Sequence, residues 1–302
     1  MQKMKRVVSV SLGSSRRNHK VEVEFNGVPF SIERIGTDGD MKKMTALISE
    51  LDGKVDAFGL GGIDLYVGLP GQRYIIRDGK KIVRAAKKTP IVDGSGLKNT
   101  LERTTVDYLR RELGWEFAGK KVLLISALDR WGMAESLDQA GCQLLVGDLI
   151  FALGIPIALH SLKAMRRVAR VLAPVAVQLP FSVLYPTGKK QDATNGKYGR
   201  YFLGQDIIAG DFNYIYKHMP RDMHGQIVIT NTVTADDIHH LRDRGVATLV
   251  TTTPVYNGRS FGTNVMEAVL VAYAGSTGQL TAEDYTGLLA DLNFVPRIEH
   301  LQ

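Results

Sequence analysis

The 302-residue chain has a single cysteine, Cys142, so it can form no internal disulfide and no cysteine-rich zinc site. That scarcity fits a reducing compartment. Long hydrophobic runs are missing too, and nothing approaches the roughly 20 apolar residues of a membrane span. After the basic start MQKMKR the apolar stretch covers only residues 7–12 and contains serines, which does not make a signal peptide. A cytoplasmic protein is expected. His239-His240 are adjacent and no His-Glu-x-x-His pattern exists, so no metal is expected. There is no Gly-x-Ser-x-Gly elbow for a serine nucleophile. No run of five or six like charges occurs, and no basic stretch is interleaved with aromatics, which argues against nucleic acid.

What remains is globular: 44% hydrophobic and 23% charged residues, long enough for two domains. The net charge of +7 is uneven. Residues 1–115 carry 21 Lys and Arg against 14 Asp and Glu; residues 116–302 carry 17 of each. The excess therefore lies entirely in the first part, as a solvated surface or as attraction for a small anionic substrate such as a carboxylate.

Residues 7–12 read as a strand. Residues 21–25 and 29–35 alternate around Asn26-Gly27, a hairpin signal. Met41, Met44, Leu47, Ile48 and Leu51 recur at helical spacing. Strands follow at 55–60, 65–67, 74–76 and 90–92, with a basic helix near 78–88. A long amphipathic helix runs from Leu97 to near Gly114. From there strands are expected at 121–126, 143–146, 175–179, 207–209, 227–230 and 248–251. Helices separate them at 133–139, 159–172, 213–218 and 235–243. That alternation means βαβ units and a mostly parallel sheet. The expected fold is α/β: an N-terminal α/β substrate domain, residues 1–115, then a Rossmann-like doubly wound parallel-sheet domain, residues 116–262. C-terminal helices in 263–302 are expected to pack back on the first domain. A homodimer is left open.

Residues 55–67, VDAFGLGGIDLYV, resemble a dinucleotide loop at first sight. The strand is there, but the helix that should follow Gly59-Leu60-Gly61-Gly62 is not. Asp64 would also repel phosphate. The glycines then serve a tight turn or bulge, or let a ligand approach with Asp64 facing it. A nucleotide is better placed at the turn after the 121–126 strand, from Ser126 through Asp129, Arg130, Trp131 and Gly132. About twenty residues on, Asp148 is placed to take a ribose diol. Thr230-Asn231 and Thr252-Thr253 lie at the carboxyl ends of later strands, where α/β sheets bind ligands. Thr there also forms strands and caps helices; for Thr234, capping is the expected role. Lys189, Lys190, Lys197 and Arg200 occupy a long aperiodic stretch and could meet a phosphate. Gly258, Arg259 and Gly262 form a close-approach loop, and Asn264 either faces a ligand or caps the last apolar helix.

In this order the segments resemble the shikimate and quinate dehydrogenase family, and more closely the group labelled quinate 5-dehydrogenase. Ser11-Leu12-Gly13-Ser14-Ser15, followed by Asn18-His19, is similar to the family's Ser-Leu-Ser-Pro and His-Asn; by resemblance Ser11, Ser14 and Ser15 would hold a substrate carboxylate. Val92-Asp93-Gly94-Ser95-Gly96 resembles Asn-Thr-Asp-Gly-x-Gly, whose Asp shares in proton transfer, so the resemblance points to Asp93. Gly119-Lys120-Lys121-Val122-Leu123 resembles the entry to the nucleotide domain. Two features depart. The glycine-rich turn is replaced by residues 127–132. The lysine of Asn-Val-Thr-x-Pro-x-Lys is absent, its place taken by residues 59–64. Lys98, in the first turn of the helix after Asp93, is the nearest lysine and could pair with it. Asn99 and Asn264 are assigned to the substrate.

The resemblance implies an oxidoreductase, an NAD(P)-dependent dehydrogenase of a small hydroxy-carboxylate such as quinate or shikimate. Asp93, Lys98 and Asp64 would be its proton-transfer groups, and NAD or NADP its cofactor. The alternatives are a non-redox transferase or lyase on a phosphorylated or nucleotide-linked substrate, and a non-catalytic ligand-binding relative.

Overall fold

Val7, Val8 and Val10 are fully buried, as a central parallel strand requires on both its faces. They belong to β1 (Lys5–Ser11). In this computed structural model, residues 3–69, 72–77, 79–178, 196–256 and 259–302 are described. β2 (His19–Phe25) and β3 (Val28–Gly36) form the expected antiparallel hairpin, with Asn26 and Gly27 both at positive φ. α1 (Met41–Leu51) is capped by the Asp40 carboxylate on the Lys43 amide. β4 (Ala57–Gly61) pairs parallel with β1, and β7 (Ile91–Val92) with β4. The first sheet therefore runs β2-β3-β1-β4-β7. A separate hairpin, β5 (Tyr66–Leu69) and β6 (Gln72–Ile75), and a short α2 (Gly79–Val83) fill the chain between β4 and β7.

α3 (Ser95–Arg111) leads to the second sheet. β8 (Lys121–Leu124) is followed by α4 (Trp131–Gln139), β9 (Gln143–Val146), α5 (Asp148–Phe151) and α6 (Leu162–Ala176). Then come β10 (Ile207–Gly210), α7 (Phe212–His218), β11 (Ile227–Thr230), α8 (Ala235–Asp243) and β12 (Thr248–Thr251). Two short strands, β13 (Val255–Tyr256) and β14 (Arg259–Ser260), pair with each other. α9 (Thr263–Ala274) and α10 (Ala282–Asp291) follow, and β15 (Arg297–His300) ends the chain. The second sheet runs β9-β8-β10-β11-β12-β15, parallel except for β15. Its order reverses between β8 and β10, the switch point at which open α/β sheets bind ligands.

Two expectations change. The strand foreseen over 175–179 is helix as far as Ala176, with Pro174 inside its last turn; Leu179 lies outside the described residues. Leu162, Met165 and Ala169 bury one face of this helix in the second core, so packing overrides the β-branched run. The C-terminal segment also divides. α9 packs on β1 and β4 and α10 on α3, whereas β15 crosses to pair with β12. The alternation in Arg297–His300 is too short to announce a strand. Lys189, Lys190 and Gly258 lie outside the described residues.

Candidate functional site

The carboxyl ends of the two sheets face each other across a cavity of about 300 Å³. Asp64, beyond the β4 glycines, lines one wall; Ser126 and Asp129, beyond β8, line the other. Lys98, one turn into α3, lies between them. Its Nζ donates to Asp64 Oδ1 at 3.0 Å and to Asp129 Oδ1 at 2.6 Å. The expected partner, Asp93, is engaged elsewhere. It lines the same cavity, but Oδ1 accepts from the Ser95 amide at 3.0 Å and Oδ2 accepts from the Leu65 amide. It ties the start of α3 to the loop after β4.

The lysine is 6% exposed. Burial opposes its charge, but Asp129 and Asp64 outweigh burial and hold its pKa above the ordinary lysine range. Burial pushes the Asp64 carboxyl up to about 7, helped by Asp129 and opposed by Lys98. Asp129 is held below the usual carboxylate range: Lys98 and Arg130 overcome the effect of its burial. The result is an ammonium held between two carboxylates, one pushed above and one held below the usual carboxylate range.

The turn after β8 differs from the expectation in almost every residue. Asp148 does not reach out for a ribose. Its carboxylate folds back and accepts from the Ala127 and Leu128 amides, at 2.9 and 2.8 Å. Those are donors a pyrophosphate would need. Arg130 is 2% exposed and is committed to Glu102 and, at 2.9 Å, to Asp211. Trp131 is turned into the second core. Gly132 serves helix packing. A Cβ there would lie 2.3 Å from the Asn99 carbonyl oxygen, and the Gly132 amide donates to Asn99 Oδ1 at 2.8 Å. Asn99 therefore joins α3 to α4 and does not line the cavity. The residues present do not fit a dinucleotide held by this turn: the Ala127 and Leu128 amides and the Arg130 guanidinium already have carboxylate partners.

The remaining expected residues divide between cleft and core. Ser11 and Asn264 line the cavity. Asn264 does not cap α9; its Nδ2 donates to Ser9 Oγ at 2.8 Å. Ser14 is buried, its Oγ accepting from the Arg16 amide at 3.3 Å, and Ser15 is exposed; neither lines the cavity. Asn231 lines it and holds Asp211 and the Phe212 amide. Thr230, Thr252 and Thr253 are buried behind it; Thr230 donates to the Gly210 carbonyl and Thr253 to the Asn231 carbonyl. Thr234 forms a capping box with Asp237, as expected.

Several cavity residues escaped the sequence reading. Arg17, Arg34, Asp211 and Tyr214 all line it. Arg34 donates to the Ser14 carbonyl at 3.1 Å and to Ser11 Oγ at 3.0 Å. Glu267 lies just behind, fully buried. It accepts from the Gly94 amide at 2.6 Å, from Tyr285 Oη at 2.6 Å and from Gln279 Nε2 at 3.2 Å. Burial and nearby Asp93 push its pKa up to about 7. An acid inside the apolar run VMEAVLVAYA was its signal.

Fold and cleft define a two-lobed, Rossmann-like α/β protein with a cavity between its two sheets. The chain belongs to the family described as "Domain of unknown function (DUF8754)", whose model matches residues 96–301. Residues 6–93 match a second one, "Domain of unknown function (DUF8753)". No curated protein matches. Among solved structures the chain is similar to GanP, a glucose-galactose binding protein from Geobacillus stearothermophilus, at 9% identity and TM-score 0.36, over 99% of this chain and 98% of that one. A dipicolinate synthase component from Bacillus halodurans matches at 12% and 0.30, over 95% and 97%. L-tryptophan dehydrogenase from Nostoc punctiforme matches at 10% and 0.37, over 95% and 80%. Likenesses this low carry no argument about activity. Among the described residues, no helix is long and apolar enough to cross a membrane, and no group of three or more His, Cys, Asp or Glu could hold a metal.

Proposed function

We propose that the chain is an enzyme that moves a proton on a small hydroxylated carboxylate bound between its two sheets. One observation carries this: the buried Lys98 ammonium shared by Asp64 and Asp129 inside the cavity. In this reading the Asp64 carboxylate takes the proton of a substrate hydroxyl. Lys98, which stays charged, stabilises the alkoxide, which closes to a carbonyl as the bond to the neighbouring carbon breaks, and that carbon takes the proton back from Asp64. Arg34 and Arg17, the latter also 3.6 Å from Asp237, line the same cavity and supply positive charge for the substrate carboxylate. The test is calorimetric titration with quinate and shikimate, with turnover followed by proton NMR. Asp64→Asn and Lys98→Met should each lower turnover by about 10²-fold or more. No binding of either acid at millimolar concentration would sink the reading.

The dehydrogenase reading has one observation in its favour. A lysine and an aspartate meet in the cleft, as the resembling family requires, with their places in the chain exchanged: Asp64 follows β4 and Lys98 comes from α3. NAD or NADP would have to bind without the amides of Ala127 and Leu128. Saturable quenching of protein fluorescence by NADH or NADPH would favour this reading over the first.

A further inference from the structure

The cavity does not end at Lys98. The same cavity is also lined by an apolar set of side chains from α5, the residues after it and α6: Leu149, Leu153, Met165, Val168 and Leu172. Two of these leucines are well exposed, Leu153 at 43% and Leu172 at 37%, although they line a recess rather than a free face. Asp129, next to the β8-turn amides, and Asp148, which heads α5 directly before Leu149, line the cavity as well. The Asp148 carboxylate already accepts from the amides of Ala127 and Leu128. A ligand touching both Lys98 and this apolar set shares the cavity with two acids and meets no free amide of those two residues. A pyrophosphate there would be repelled; an uncharged link would not.

We infer that the ligand is amphipathic: a hydroxy-carboxylate head at Lys98 and Asp64, joined by an uncharged link to an apolar group lying under α6. This rests on the head-group reading given above and names the class of substrate more closely. The size agrees. About 300 Å³ is at the low end for drug-sized ligands, enough for a head and one ring or short chain. Burying one ring under α6 removes of the order of 100 Å² of apolar surface from water, at about 25 cal/mol/Å², which amounts to tenfold or more in affinity.

The experiment compares quinate, O-benzoylquinate, NADH and NADPH by calorimetry on the full chain. O-benzoylquinate should bind at least tenfold tighter than quinate, and neither dinucleotide should saturate. Val168→Asn and Leu153→Asn, at half-buried and exposed positions, should each abolish the benzoyl gain and lower quinate affinity by much less than that gain. Their unfolding midpoints report that the fold is kept. Equal affinity for quinate and its ester overturns the inference and leaves the head-group reading standing. So does a benzoyl gain that neither variant reduces, or saturation by NADH or NADPH below millimolar concentration. Binding of neither quinate nor its ester overturns both.

Discussion

Two turns leave the ends of parallel strands and face each other across the cleft. The end of β4 and the turn after it have three glycines in four residues, Gly59-Leu60-Gly61-Gly62, the first two glycines in the strand. The β8 turn, Ser126 to Arg130, has none. Composition would give a phosphate to the first. The glycines of β4 make room for protein: a Cβ on Gly59 would lie 2.7 Å from the Asn264 carbonyl oxygen, and one on Gly61 would lie 2.8 Å from Ser11 Oγ. The β8 turn has the amide donors of an anion site, and the carboxylate of Asp148 fills it from within. Glycine content thus reports how closely something approaches the backbone, and not what that something is.

Lys98 joins the two turns, so removing it tests the comparison most severely. Lys98→Met leaves the half-buried Asp64 and Asp129 without their shared cation. Breaking such an arrangement costs about 3–5 kcal/mol. We expect a loss of that size by urea denaturation, largely recovered when Asp64→Asn and Asp129→Asn are added. A single variant as stable as the wild type would mean that the two turns are not coupled through Lys98.

The next effect concerns the β8 turn alone and appears as a pH dependence. Burial raises the Asp148 pKa from 3.8 to about 7. The folded protein therefore holds this proton more tightly than the unfolded chain. The resulting stabilisation is complete below about pH 4 and is lost as pH rises towards 7. Asp64 and Glu267, also pushed up to about 7, act in the same direction. Asp148→Asn forfeits one amide hydrogen bond at every pH but removes one titrating group. Its stability should fall less steeply than that of the wild type between pH 4.5 and 7.5. Parallel curves would show that Asp148 does not titrate in that window.

Most of the fold was legible because its strands are short apolar runs separated by helical stripes. The Asn26-Gly27 hairpin, the Thr234 cap and the long α3 follow from local chemistry. The cleft was legible as a place, since Asp64, Asp93, Lys98, Ser126 and Asp129 do converge there. What local chemistry cannot reveal is which partner each group takes. Asp148 reads as a ribose acceptor by spacing, yet it bonds two amides about twenty residues upstream in the chain. Arg130 reads as a phosphate ligand, yet Glu102 and Asp211 reach it first. Arg17 and Arg34 are neighbours of the site only because β1, β2 and β3 pair side by side.

The smallest effect separates two meanings of glycine at the end of β4 and in the turn after it. Gly59 is surrounded by protein: its missing Cβ would meet the backbone of Asn264, which is held in α9 and cannot yield without moving the helix. Gly59→Ala should therefore overpack the sheet–helix contact and cost about 1–3 kcal/mol. Gly62 has a different constraint, a φ of +72°, and a Cβ placed on it would lie 3.0 Å from the Gly13 nitrogen. Gly62→Ala should cost about 1 kcal/mol from the left-handed backbone, plus whatever the Gly13 contact demands. Asn tolerates that backbone better than Ala, so Gly62→Asn should recover part of the loss, while Gly59→Asn should be worse than Gly59→Ala. Urea midpoints for the four variants check the ordering. If Asn helps at both positions, backbone conformation and not close approach governs the turn, and the contrast drawn with the β8 turn fails.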